Sequence, residues 1–337
     1  MTAKLLAAGV ALDWHQLPAL PDPLGVAGAF AGVSGGALIV AGGANFPDKL
    51  PWDGGRKVWH DAVYVLEQPR GVWRSGFKLP KPLGYGVSVT TPDGLLCIGG
   101  SDATQHVRDV FRLQWRDGKL KHEPLAPLPA PLANACGALV GHTVYVAGGT
   151  ASPDATNALK IFWSLDLKQH GAKWKLLEPW PGPARMLSVA AALEDSFYVA
   201  GGTDLAPDAA GQPVRTYLKD AYRYTPGQGW RRIADLPNPV VAAPTPAPVV
   251  SATQFLVIGG DDGSLVNFMP RSQHPGFPKR VLAYDAARDA WSVVGETPAS
   301  RATLPTAPWR GAFVLPSGEA KPGVRSPQVW VVRPRGI

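Results

Sequence analysis

Cysteine is nearly absent: Cys97 and Cys136 are the only two in 337 residues. Neither belongs to a C-x-x-C pair, which argues against a cysteine-based metal or redox motif. Each lies in an apolar run, Leu-Leu-Cys-Ile and Ala-Cys-Gly-Ala, the usual setting of a buried free thiol. The seven His are dispersed, with no H-E-x-x-H and no close pair, so neither a metal nor a cofactor is expected. Long apolar runs are missing as well. No segment reaches the length of a membrane span, and no collagen-like or low-complexity tract occurs.

What the chain does have is glycine and proline, 38 and 35 residues spread along its length, within a composition that is 45% apolar. That suits many short strands joined by tight turns. The formal net charge is +7. Lys and Arg occur singly or in pairs, such as Arg56-Lys57 and Arg231-Arg232, and no zinc finger, basic helix or RNA-binding motif gathers them. A solvated basic surface or a small anionic metabolite is the expected consequence; nucleic acid and membrane are not expected as partners. The opening Met1 to Leu12 contains an apolar run of about eight residues, short of the roughly 15–30 residues of an export signal. The expected location is cytoplasmic, or periplasmic if a leader precedes the first residue.

Aligning the chain on itself by glycine doublets reveals its organisation. Apolar strands end in Gly42-Gly43, Gly99-Gly100, Gly148-Gly149, Gly201-Gly202 and Gly259-Gly260, and a sixth, Ala312-Phe-Val-Leu, leads to Gly318-Glu319. After each comes a polar loop and a second apolar strand, as at Asp61-Ala-Val-Tyr-Val, Asp109-Val-Phe-Arg-Leu, Asp220-Ala-Tyr-Arg-Tyr and Val329-Trp-Val-Val. The recurrent Asp61, Asp109 and Asp220 suit a turn or structural role. A third element carries a Trp that leads to a Pro, from Trp73 to Pro80, Trp174 to Pro181, Trp230 to Pro237 and Trp291 to Pro298. One repeat is irregular, because Trp115 falls early and Leu120-Lys-His stands where its outer strand should be.

The spacing, close to a ~50-residue period, resembles that of kelch repeats, each of which folds into one four-stranded blade. The implied fold is all-β: a single six-bladed kelch-type β-propeller over 1–337. Its blades are expected near 23–80, 81–129, 130–181, 182–237, 238–298, and 299–337 completed by 11–18. The last repeat stops before its Trp strand, and the chain begins with an orphan, Leu12-Asp-Trp-His-Gln-Leu-Pro18. Setting that segment as the outer strand of the last blade closes the ring and removes the exposed edge.

The open end of each inner strand should lie beside the channel, sixteen residues before its doublet. Those positions hold Val26, Leu83, Leu132, Arg185, Ala243 and Ala302, with Arg301 one step away. The sixth doublet is broken by a carboxylate at its second position, Glu319. Exceptions to a repeat tend to cluster at functional sites.

The stretch Gly318-Glu-Ala-Lys-Pro-Gly-Val-Arg325 is similar to the Gly-Glu-Ala-Lys-Pro-Gly-x-Arg segment of bacterial N-acetylneuraminate epimerases, the sialic acid mutarotases. Gly25-Val-Ala-Gly-Ala-Phe-Ala-Gly-Val33 with Ala41-Gly-Gly-Ala44, and Gly84-Tyr-Gly-Val-Ser88, resemble that family too. In the secreted enzymes the Glu-bearing repeat precedes the Gly-Val-Ala-Gly repeat. Here it comes last, as in a cyclically permuted branch. The resemblance implies Glu319 and Arg325 as the catalytic pair and Arg185 as a substrate ligand; Leu83 stands where the family has a second Arg. Arg301, Lys321 and Arg56 are further candidates for binding an acidic sugar, and Lys57 and Arg56 lie in a long loop that could rim the pocket.

The implied activity is interconversion of the anomers of N-acetylneuraminate or a related acidic sugar by acid/base ring opening at Glu319. No cofactor is implied, and a monomer or weak homodimer is expected. The competing reading is a non-catalytic propeller that binds a protein or a sugar, with the long loops 44–57, 203–219 and 261–279 as its surface. A copper-radical oxidase would need a Tyr/His ligand set that is not found, and a sialidase its Ser-x-Asp-x-Gly-x-Thr-Trp boxes.

Overall fold

A computed structural model describes residues 11–335, and no helix among them is long and apolar enough to cross a membrane. The strands that end in the glycine doublets are apolar on both faces. Ala37–Ala41, Gly94–Ile98 and Ser196–Ala200 are buried at every position. Such continuous burial arises when a strand is covered on both sides, here by the blades before and after it. The outer strands, such as Arg74–Lys78, are largely exposed.

Five blades are four-stranded antiparallel sheets. The first runs outward through Phe30–Ser34, Ala37–Ala41, Ala62–Leu66 and Arg74–Lys78. In the second, the outer strand is Lys119–Pro124, paired with Val110–Arg116. The irregular repeat is therefore a full blade, with Trp115 at the end of its third strand. The fifth blade keeps three strands, Gln254–Ile258, Arg280–Asp285 and Ala290–Glu296. Its innermost segment carries Pro244, Pro246 and Pro248, which cannot donate to a ladder, and meets the next strand at the single bridge Val249–Phe255.

The sixth blade is closed from the other end of the chain. Ala11–Leu17 pairs antiparallel with Val329–Arg335, from Leu17 opposite Val329 to Ala11 opposite Arg335. This is the expected closure. Most of the opening stretch weighed as an export signal, residues 1–10, lies outside the described residues.

The repeated Trp has a physical reason. Its indole N–H donates to a backbone carbonyl of the preceding blade: Trp73 to Pro18 (2.8 Å), Trp174 to Ala126 (2.9 Å), Trp230 to Glu178 (2.8 Å) and Trp291 to Ala234 (2.8 Å). Each Trp is thus at least partly covered and stitches two blades together.

At the channel, one residue per blade adopts a left-handed backbone: Gly28, Tyr85, Asn134, Leu187, Ala242 and Thr303, with φ between 55° and 65°. The N–H of each donates to the carbonyl of its counterpart in the preceding blade at 2.7–2.9 Å, and Gly28 to Thr303 completes the circle. Five of these six residues are not glycine, so the strained conformation is held by the closed ring of hydrogen bonds. The collar borders a cavity of only about 60 Å³. The open space lies above it, among the loops that follow the doublets.

The doublets pack against the next blade. A Cβ on Gly42 would strike the carbonyl oxygen of Leu83, and one on Gly201 that of Val240. In the sixth blade the two residues in this conformation are Ser317 (φ 63°) and Gly318 (φ 91°), matching Gly201 (59°) and Gly202 (86°). This corrects the alignment drawn from sequence. The broken doublet is Ser317-Gly318, and Glu319 is the residue after it. A left-handed serine is tolerated because its buried hydroxyl accepts from the Val26 N–H (2.7 Å) and lies 2.8 Å from the Val26 and Ser326 carbonyl oxygens.

Candidate active site

With the register corrected, six equivalent residues surround the mouth: Ala44, Ser101, Thr150, Thr203, Asp261 and Glu319. Each pairs in an isolated bridge with the segment entering its own blade, as Glu319 does with Ala302 and Asp261 with Val241. The mouth therefore carries two carboxylates, in neighbouring blades.

Glu319 opens a short hairpin in which Glu319–Lys321 pairs with Val324–Arg325. Pro322-Gly323 forms the turn, so Glu319 and Arg325 become cross-strand partners. Such pairs project to the same side and their side chains meet. The Arg325 Nη2 lies 3.0 Å from Glu319 Oε1, with the two side chains 3% and 19% exposed. Long loops hold the hairpin from both flanks. Lys321 Nζ donates to the Ser272 carbonyl at 2.7 Å, and Gly323 sits against Pro51 and Trp52.

The Arg325 guanidinium is fully engaged on one side. Its Nε donates to the Ala44 carbonyl (3.3 Å), Nη2 also approaches Tyr85 Oη (3.5 Å), and the group stacks 4.7 Å from the Phe46 ring centroid. Its Nη1 is buried without an acceptor, and so is Trp59 Nε1 nearby. Trp59 meets Tyr85 edge-on, and Lys57 Nζ rests 5.4 Å and 5.1 Å from their ring centroids. Buried donors without protein partners call for water or a ligand oxygen, and Arg185 Nε and Arg301 Nε in the wall share this state.

Burial pushes the Glu319 carboxyl above its ordinary range, and Asp261 adds to this; Arg325, Lys57 and the Gly323 N–H pull the other way. Burial raises Tyr85 to about 12, so its phenol is neutral and able to donate. Loss of water lowers Lys57, with Arg325 lowering it further and Glu319 opposing.

The other candidates are placed elsewhere. Arg185 is completely buried in the wall, with Nη2 2.6 Å from Asp220 Oδ2 and Nη1 3.0 Å from the Gly201 carbonyl. Its guanidinium stacks on Trp180 and Tyr222. Arg301 is the equivalent residue once the register is corrected, sixteen before Ser317. It donates to Ser326 Oγ (3.0 Å) and Gln328 Oε1 (2.6 Å), also within the wall. Arg56 is exposed on the loop after the first doublet, and its neighbour Lys57 is the residue over the aromatic pair. Cys97 and Cys136 are free and buried. Sequence reasoning did not single out Tyr85, Trp59 or Asp261. Tyr85 was within reach, since it lies in the Gly84–Ser88 stretch that carries the resemblance.

The N-acetylneuraminate epimerase family model matches residues 2–121 and 125–270, most of the chain; the hairpin with Glu319 and Arg325 lies beyond the matched part. The chain is similar to the N-acetylneuraminate epimerase of Yersinia pestis (strain Pestoides F), 39% identical over 134 residues, 35% of this chain and 34% of the relative. It is also similar to the Brucella suis enzyme of that name, 40% identical over 126 residues, 32% and 31% of the two chains. The Yersinia enterocolitica protein is 36% identical over 131 residues, 34% and 33% of the two chains. These matches thus span about a third of the curated relatives' length. By the extent of the family match, the chain belongs to the N-acetylneuraminate epimerase family.

Proposed function

We propose that this chain interconverts the α and β anomers of N-acetylneuraminate or a closely related acidic sugar at the propeller mouth, with Glu319 transferring the proton. The observation that carries this reading is the pairing of Glu319 with Arg325 across a hairpin at the mouth, beside Tyr85 and Lys57. The family membership supplies the substrate class, since the relatives are named for that epimerisation.

Anomer exchange needs no net proton and no redox partner. A base takes the proton of the anomeric hydroxyl as the bond from anomeric carbon to ring oxygen breaks. The ring oxygen receives a proton, leaving an open-chain ketone, and reclosure on the other face reverses these steps. A carboxyl whose proton affinity is raised by burial is matched to giving and taking protons near neutral pH. Arg325 holds Glu319 in place by the ion pair, and together with Lys57 it supplies the positive charge that suits a sugar carboxylate. Tyr85 can donate a hydrogen bond to the oxygen on which charge develops.

The test uses a solution enriched in one anomer. Adding the protein should speed the approach of optical rotation to equilibrium, with an effect that saturates in substrate. Binding detected by saturation-transfer NMR with no acceleration would replace the catalytic reading by a sugar-binding one.

A further inference from the structure

Beside the Glu319 cluster, on the same face, lies a cavity of about 660 Å³ that takes no part in the chemistry above. That is within the size of ordinary small-molecule sites, about 300–1,000 Å³. Its lining includes the collar residue Asn134, the mouth residue Thr150, and Met186, the bridge partner of the mouth residue Thr203. Its wall is a second hairpin, in which Thr203–Pro207 pairs with Pro213–Tyr217, inserted after the fourth doublet.

The walls are interlocked. The Ala158 N–H donates to the Leu205 carbonyl at 2.8 Å, tying the hairpin to the third blade. Gly263 lies flat against the Tyr217 ring, tying it to the fifth. Two hydrogen bonds link its lining to residues around the Glu319 cluster. Asn134 follows Tyr85 in the collar, its N–H donating to the Tyr85 carbonyl at 2.9 Å. Tyr217 donates to Asp261 Oδ2 at 3.2 Å, and Asp261 is the mouth residue next to Glu319.

Its chemistry is mixed, with a single cation. Thr150 Oγ1 accepts from Asn134 Nδ2 (3.1 Å) and lies 3.0 Å from His106 Nε2. This orients the Asn134 amide and leaves its oxygen without a protein donor among the described residues. Met186, Leu205, Val214 and Val266 supply apolar surface; Arg215 is the one charged residue in the lining. Hydroxyls and an amide interspersed with methyl-sized apolar contacts fit a hydroxylated carbon chain and an acylamido group.

We propose that this cavity is a second subsite, which takes the neutral polyol tail and acylamido group of a sugar acid whose carboxylate end faces Arg325 and Lys57. The inference rests on the proposed function, and it makes the hairpin Thr203–Tyr217 the determinant of which acidic sugars are accepted.

Val214 is 49% exposed on that hairpin, so Val214→Trp fills the cavity from its rim without disturbing the core. Saturation-transfer NMR with N-acetylneuraminate should show strong contacts at the acetyl methyl and side-chain protons for the wild type. In V214W those contacts should fade and the Kd rise about tenfold or more, while an analogue lacking the side-chain carbons binds equally to both proteins. Unchanged contacts and Kd in V214W would overturn the subsite alone. No transfer from the wild type to N-acetylneuraminate would bring down the function reading, and the subsite with it.

Discussion

The fourth and sixth blades are built to one plan and use it differently. Both carry an arginine sixteen residues before the left-handed pair, and both insert a hairpin after it. In the fourth, Arg185 meets Asp220 inside the wall, and the residue at the mouth is Thr203, whose hydroxyl is taken up by the Asp204 and Thr216 carbonyls. In the sixth, the position of Asp220 is held by neutral Gln328, and the carboxylate appears at the mouth as Glu319, paired to Arg325. A buried ion pair within the wall serves structure; the same kind of pair on a mouth hairpin serves the ligand in the function proposed above. Position in the repeat does not assign a role. The direction of the side chain does.

The largest effect should come from breaking the structural pair. Asp220→Ala strands a fully buried guanidinium and should lower unfolding stability by about 3–5 kcal/mol. Gln328→Ala removes only a neutral acceptor from Arg301 and should cost about 1.5–3 kcal/mol. Urea unfolding of the two variants measures the difference, and equal losses would erase the distinction between the blades.

A finer contrast lies in proton affinity. Because Glu319 is held above its ordinary value, its carboxylate form is lost as pH falls through that raised value, so the acid limb of the rate profile should lie above about 4.5. Asp261→Asn removes one of the groups that raise it, so the limb should move to lower pH. A uniform loss of rate with an unmoved limb would assign Asp261 a purely structural part.

The smallest effect is expected at the left-handed serine. Ser317→Gly restores the doublet and relieves a backbone cost of about 1 kcal/mol, but loses buried hydrogen bonds worth about as much. Its stability should stay within about 1 kcal/mol of the wild type by the same urea measurement.

Much of the fold was legible because steric necessity writes it into the chain. Where a Cβ would collide with the next blade's carbonyl, as at Gly42 and Gly201, only glycine serves, and the pattern recurs. The same rule misplaced the sixth repeat by one residue, because Ser317 meets the requirement through hydrogen bonds that no spacing reveals. Glu319 and Arg325 were visible as a motif, and their contact follows from a hairpin only six residues apart in sequence. Arg185 was legible as a position, but its partner lies 35 residues away, and nothing local shows the side chain turning into the wall. Tyr85, Trp59 and Asp261 join the cluster from three blades, a meeting that only ring closure brings about. Arg56 and Lys57 are adjacent and both exposed, and of the two Lys57 lies over the Trp59 and Tyr85 rings, a difference that no local pattern shows.

The measurement that bears most directly on the account is anomer exchange of N-acetylneuraminate with Glu319→Gln, followed by two-dimensional exchange NMR. The variant keeps the shape of the side chain and loses its base; exchange should slow by about 100-fold or more while the propeller stays folded. Exchange at the wild-type rate would contradict the assignment of the mouth carboxylate as the proton-transfer group.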